Sequence, residues 1–264
     1  MSPAYTPGKL VLKKDSVAVD PNTDPNIASV SLLLSGNGIN GSTTIIDSSP
    51  SPKAVTAFGN AQISTAQSKF GGASIAFDGN GDYATAPISS DFEFGTGDFT
   101  VEGFVYVNSF SGIQKYVNLA SIGRGALGGV PLVTNGWTLR FESTQIIFYR
   151  YDGSVETTIA RSTTVSTGTW HHIAVSRVGT NLRIFLNGTQ VGATETNSTA
   201  YNKIATGGSQ DLHIGRFLSG DITQQAPLPY SSFLNGYIDD LRITKGVARY
   251  TSNFTPPTAP FPNY

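Results

Sequence analysis

Along most of this chain apolar and polar residues alternate with a period of two, the pattern of strands that bury one face. From Thr169 the sequence runs TWHHIAVSRVGTNLRIFLN to Asn187. Ile173 and Val175 alternate with polar neighbours, a Gly-Thr-Asn turn follows, and Leu182, Ile184 and Leu186 alternate again. Asn187-Gly188 closes the second run; a type I′ hairpin turn needs positive φ at both central residues, and Asn and Gly accept it best. Upstream, Val30–Leu34 and Ser74–Phe77 read as strands, the latter ending in the tight turn Asp78-Gly-Asn-Gly-Asp82. In GTGDFTVEGFVYVN, Phe99, Val101 and Val105 fall on one face and Glu102, Phe104 and Tyr106 on the other. Aromatic residues on both faces predict a strand buried on both sides. Trp137, Leu139 and Phe141 predict another strand, as do Ile146–Tyr151 and the alternating Val155, Thr157 and Ile159. Gly112–Asn135 is glycine-rich and reads as loop. Short strands, frequent turns and no helical period predict an all-β, two-sheet antiparallel jelly-roll sandwich.

The ends of the chain differ from this middle. Residues 1–28 hold brief alternation at Leu10/Leu12 and Val17/Val19, split by Lys13-Lys14-Asp15, and then DPNTDPN. Two Asp-Pro steps so close together stop helix and central strand alike, since each proline lacks a donor and restricts the residue before it. The expected organisation is an extended N-terminal anchoring arm and linker over 1–28, then one sandwich domain over 29–264. That domain ends in the proline-rich TSNFTPPTAPFPNY, expected to run over the surface as extended chain.

Composition narrows the function classes. A formal net charge of −1 forces no basic surface for a phosphate backbone, so nucleic acid is not an expected partner. Without cysteine there is neither a disulfide framework nor a Cys-based zinc site. No run has the length of a membrane-spanning helix, and MSPAYTPGKLVLKKD lacks the charged and apolar regions of a secretory leader.

Three stretches carry a family resemblance: FGGASIAFDGNGDYA, TWHHIAV with its LNG hairpin, and Gly236-Tyr-Ile-Asp-Asp-Leu-Arg-Ile-Thr244. Together they resemble the laminin-G branch of the concanavalin A-like lectin/glucanase superfamily, in its bacterial and phage form, over roughly Ser29 to Phe254. The resemblance implies a concanavalin A-like sandwich and, in many relatives, a bound calcium ion. Asp239 in the closing strand and Asp47 in IIDSSPS match its acidic positions, with Asp78 and Asp82 as an alternative cluster. Calcium takes carboxylate and carbonyl oxygens from irregular loops. The same aspartates also suit turn capping through their own backbone amides.

Catalysis finds less support. Retaining glycosidases need two carboxylates about 5 Å apart, and the glucanase relatives carry an E-x-D-x-x-E strand that is missing here. Glu93 and Glu102 stand alone, and Asp239 and Asp240 are adjacent, so on a regular strand they face opposite ways. The same geometry separates His171 from His172 and favours a packing role over a metal. For saccharides, aromatic residues in loops are the natural stacking platforms: Tyr201 and Tyr230 in polar loops, Tyr116, and Arg124 nearby for hydroxyls. Trp137 and Tyr149 lie inside strands and are expected to be buried.

The function that the resemblance implies is non-enzymatic adhesion: a virion structural protein such as a phage decoration, tail or fibre component. Its lectin-like head would contact host-surface glycans, and its arm would contact other virion proteins or its own subunits. The alternative is a carbohydrate-binding module or glycoside hydrolase of the same superfamily.

Overall fold

The computed structural model describes residues 23–110, 116–122, 126–127, 130–131, 136–151, 156–202, 211–217 and 232–264. Two antiparallel sheets dominate it. The eight-stranded back sheet runs in the order Thr189–Thr196, Asn181–Leu186, Trp170–Val178, Phe99–Val107, Asn235–Lys245, Ser74–Asp78, Gln62–Ser64, with Val30–Leu34 paired onto Asn235–Lys245. The seven-stranded front sheet runs Glu156–Thr164, Gln145–Tyr151, Gly136–Glu142, Tyr116–Ile122, Leu212–Ile214, Tyr83–Ala86, Thr56–Phe58. Helix among the described residues amounts to two single 3-10 turns, Ile27–Ser29 and Ser90–Phe92. The jelly roll expected from the alternation is the fold observed. The N-terminal arm falls almost wholly on residues 1–22, outside the described residues.

Between the sheets lies the core. Phe99, Val101, Val105, Ile173, Val175, Ile238 and Ile243 from the back meet Trp137, Leu139, Phe141, Phe148, Leu212 and Ile214 from the front. Phe94 stacks on Phe99 at 4.2 Å and on Trp137 at 5.1 Å, and the Trp137 indole donates to the Phe92 carbonyl at 3.0 Å. That bond satisfies the polar atom of an otherwise apolar side chain, so full burial costs it little. Asn187 and Gly188 take φ of 50° and 77°, as the I′ hairpin requires.

The stretch Gly112–Asn135 departs from its loop reading, since Tyr116–Ile122 is a strand in the middle of the front sheet. Opposite Leu139 and Arg140 stand Ala120 and Asn118, which leaves Leu119 as an extra residue. This bulge puts Leu119 and Ala120 both in the core and so erases the two-residue period in sequence.

The proline-rich tail forms no strand, as expected, but it is a structural layer over the back sheet's outer face. Phe261 packs on Phe104, and Tyr250 stacks on Phe254 at 3.6 Å, with Phe254 against Phe185 and His172. Beneath it Glu102 binds Arg242 at 2.8 Å, the Tyr250 hydroxyl at 2.7 Å and His172 at 3.2 Å. Asp24 joins by pairing with Arg242 and Arg249. A second bulge shapes this face: Asp239 lies opposite Phe104 and Arg242 opposite Glu102, so Asp240 and Leu241 together face Gly103. Asp240 takes φ of 47°, and a Cβ on Gly103 would come within 3.2 Å of the Leu241 Cα. The bulge corrects the expectation that Asp239 and Asp240 face opposite ways. Both reach the outer layer, Asp239 accepting from the Lys69 and Phe70 amides and Asp240 from the Phe261 amide.

Candidate functional site

The front sheet's outward positions fall into a single polar line. Thr56 stands opposite Thr85, Thr85 opposite His213, His213 opposite Ser121, Ser121 opposite Thr138, and Thr138 opposite Tyr149. Their chain neighbours Ala84, Ala86, Leu212, Ile214, Trp137, Leu139 and Phe148 turn into the core, so period-two alternation sets the row. From Thr85 to Tyr149 every member is buried, with exposures between 2% and 7%.

His213 is the centre of this row. Its side chain is buried, and neither ring nitrogen has a hydrogen-bond partner. Burial, reinforced by the Arg216 charge, pushes its pKa down to about 3, so the ring is neutral at physiological pH. A neutral imidazole offers one donor and one acceptor, the pair a hydroxyl group complements. Leaving both unmet in a buried place costs roughly 1–3 kcal/mol each, so the ring calls for a polar partner, a water or a ligand hydroxyl.

Flanking groups extend the site. The Arg216 guanidinium lies 3.6 Å from the Tyr83 ring centre, its Nε buried and without a partner, and Tyr83 stacks on half-exposed Phe58 at 4.5 Å. On the other side Arg140 lies 3.8 Å from the Tyr149 ring centre and 3.7 Å from the Glu142 carboxylate, which also accepts the Tyr149 hydroxyl. Aromatic rings, two guanidinium groups and a line of hydroxyls are the group types that hold a polyol by stacking and by hydrogen bonds.

The residues singled out from the sequence lie elsewhere. Tyr201, expected at the surface, is fully buried among Phe99 and Phe148, its hydroxyl bound to Asn197. Burial pushes its pKa up, and the fully buried Arg177 lies 5.0 Å from its ring. Tyr116 opens a front-sheet strand opposite Glu142. Arg124 and Tyr230 fall outside the described residues. Trp137 and Tyr149 are buried as expected, although Tyr149 points outward.

The four aspartates proposed for calcium hold backbone in place. Asp47 accepts from the Leu33, Ser49 and Lys53 amides and the Ser49 hydroxyl. Asp82 accepts from the Asn60 and Asp78 amides, and Asp78 from the Asn80 amide and the Asn60 side chain. Asp239 keeps one buried oxygen without a partner, and burial raises its pKa to about 6. Asp47 and Asp239 share no hydrogen-bond partner, and among the described residues no three His, Asp or Glu side chains gather as a metal cluster. His171 binds Ser166 while His172 binds Glu102, so the pair serves two different layers.

His213, Arg140 and Arg216 escaped the sequence reading. The one signal was a polar residue set inside an apolar run, as in Leu212-His213-Ile214 and Leu139-Arg140-Phe141.

A two-layer antiparallel jelly roll with this strand order is a concanavalin A-like β-sandwich. The chain belongs to the concanavalin A-like lectin/glucanases superfamily, whose laminin-G profile matches residues 78–249, more than half its length. No curated protein sequence matches it significantly. Among solved structures, the binding domain of botulinum neurotoxin serotype G is similar at 16% identity and a TM-score of 0.54, over 85% of this chain and 48% of that one. The serotype C1 binding domain is similar at 16% identity and a TM-score of 0.55, over 84% and 50%. The binding domain of botulinum neurotoxin DC, solved with rat synaptotagmin II, is similar at 14% identity and a TM-score of 0.56, over 84% and 49%. The chain therefore spans about half the length of these structures, and at such identities the likeness concerns the fold.

Proposed function

We propose that this protein is a non-enzymatic recognition module that binds surface glycans on the outer face of its front sheet. The observation that carries the reading is His213: a buried neutral imidazole with both nitrogens unmet, inside a line of Thr and Ser hydroxyls. Sugar hydroxyls donate and accept at once, which suits that ring better than a carboxylate or an amine does. The similar solved structures are binding domains, which agrees with recognition in place of turnover.

The carboxylates support the same reading. Glu102 is fully buried against Arg242, His172 and Tyr250, and its pKa sits near 2 despite burial, because those charged and hydrogen-bonding partners outweigh it. A group so firmly ionised makes no general acid. Glu142 is held by Arg140 and Tyr149. We place the module on a virion, as an adhesive decoration, tail or fibre component; mass spectrometry of purified particles tests that setting. Calcium at Asp239 or Asp47 belongs to the same proposal and would appear as a metal-dependent rise in the unfolding midpoint.

The deciding experiment is a glycan array probed with the wild type and His213→Ala, beside a reducing-sugar assay. The expected result is glycan binding weakened at least tenfold by the substitution, about 1.4 kcal/mol or more, with no sugar released. Polysaccharide cleavage abolished by Glu142→Gln would replace this reading with that of a hydrolase.

A further inference from the structure

We infer that the back sheet carries a second, separate saccharide site, selective for neutral sugars, at the end that the C-terminal tail leaves open. A polar groove of about 540 Å³ lies there, lined among others by Gln62, Ser64, Asp78, Asn108, Asn235 and Tyr237. Its residues come from three neighbouring strands of one sheet, with Asn60, Asp82 and Asn108 from the connections beside them. Such a platform is more precise than a loop site, because the ladder fixes every side chain's origin.

Two parallel rows of outward side chains run into it, and of the first row Tyr237, Ala76 and Gln62 line it. The first is aromatic: Trp170 stands opposite Tyr106, and Tyr106 opposite Tyr237, with edge-to-face centroid distances of 5.7 and 5.9 Å. It continues outward through Ala76 to Gln62 at the sheet edge. The second row, two residues further along, is polar. Asn108 donates to the Asn235 side chain at 2.9 Å, Asn235 stands opposite Asp78, and the Asn60 amide donates to Asp78 at 3.2 Å. All three aromatic rings are half-buried, so part of each remains open to a ligand. The Trp170 indole nitrogen is buried without a hydrogen-bond partner.

Aromatic surface beside a row of amides and a carboxylate matches the two sides of a pyranose, one apolar and one hydroxylated. Charge sets the class. Among the described residues the groove is lined by Asp78 and Asp82 and by no lysine or arginine, so a sialylated, sulfated or uronic sugar would meet uncompensated repulsion. The front face, with Arg140 and Arg216, has the opposite bias. The two sites therefore differ in sheet, in charge and in ligand.

Intrinsic fluorescence offers a direct readout, because the chain has only two tryptophans and Trp137 is sealed in the core. The full chain is titrated with cellohexaose, mannohexaose and chitohexaose, following emission and heat. At least one of the three is expected to bind with a change in Trp170 emission. Tyr237→Ala should weaken it at least tenfold and Gln62→Ala, at a half-exposed edge position, several-fold. Tyr237→Phe, which keeps the ring, should stay within a few-fold of wild type, and His213→Ala should leave the affinity unchanged. Absence of binding by all three at about 10 mM overturns the proposal. So does binding that survives both Tyr237→Ala and Gln62→Ala. Binding that disappears in His213→Ala alone assigns the sugar to the front face and refutes a second site.

Discussion

At the scale of single residues, buried titratable groups pull this protein in opposite directions with pH. His213 is held near pKa 3 against an ordinary 6.5, so its stabilising contribution is full above 6.5 and drains away as pH falls toward 3. Asp240 is the reverse. Burial raises its pKa to about 7 from 3.8, so its contribution is present below 3.8 and is lost as pH rises through 7. The two slopes oppose each other across the mildly acidic range. We expect His213→Gln to gain stability relative to wild type when pH drops from about 7.5 to about 5, and Asp240→Asn to gain on the opposite change. Urea midpoints at both pH values check this, and parallel shifts in all three proteins would refute it. Neither residue's state was legible in the sequence. Leu212-His213-Ile214 shows that a histidine sits inside a strand, but only the sheet partners Thr85 and Ser121 show that it meets no acid.

At the scale of elements, turns and bulges decide where side chains arrive. The Asn187-Gly188 hairpin was readable because a two-residue connection demands a specific backbone conformation, and few residue pairs supply it. Its second role was hidden. A Cβ on Gly188 would lie 2.0 Å from the Phe254 carbonyl, and the Gly188 carbonyl accepts the Phe254 amide at 2.8 Å. Gly188→Ala therefore brings both a positive-φ penalty and a clash with the tail, and should cost about 2–4 kcal/mol. Thermal unfolding checks the magnitude, and a cost below about 0.5 kcal/mol would contradict this packing. Bulges behaved differently from hairpins. Those at Leu119 and at Asp240 leave no dependable mark in one sequence, since an extra residue is defined by the strand across from it.

At the scale of the whole molecule, the sandwich has three layers of burial: the core, the front-face polar row and the sheath formed by the tail. Removing residues 251–264 would strip Phe254 and Phe261 from the back sheet and deprive Asp240 of its amide donor. Full burial of a phenylalanine contributes about 1.5–3 kcal/mol and Phe254 is only half-buried, so the truncated protein should lose roughly 2–5 kcal/mol and bind a hydrophobic dye through Phe104. Unchanged stability would show that the tail is an ornament of the fold. The sequence alone determined the architecture, because a period of two and a hairpin dipeptide are local rules that hold wherever the strand ends up. For Asp47, Asp78 and Asp82 the sequence left calcium binding and turn capping both open; the fold shows these carboxylates bound to amides, some as far along the chain as Leu33 from Asp47 and Asn60 from Asp82. Tertiary structure alone decided the site. His213 comes from a strand far along the chain from those of Ser121, Thr138 and Tyr149, and the four align only through cross-strand register. Tyr201 shows the converse: a polar neighbourhood in sequence placed it at the surface, while Phe99, Phe148 and Arg177 closed over it. Burial is a property of what packs against a residue, and that partner is chosen by the fold, not by the neighbours along the chain.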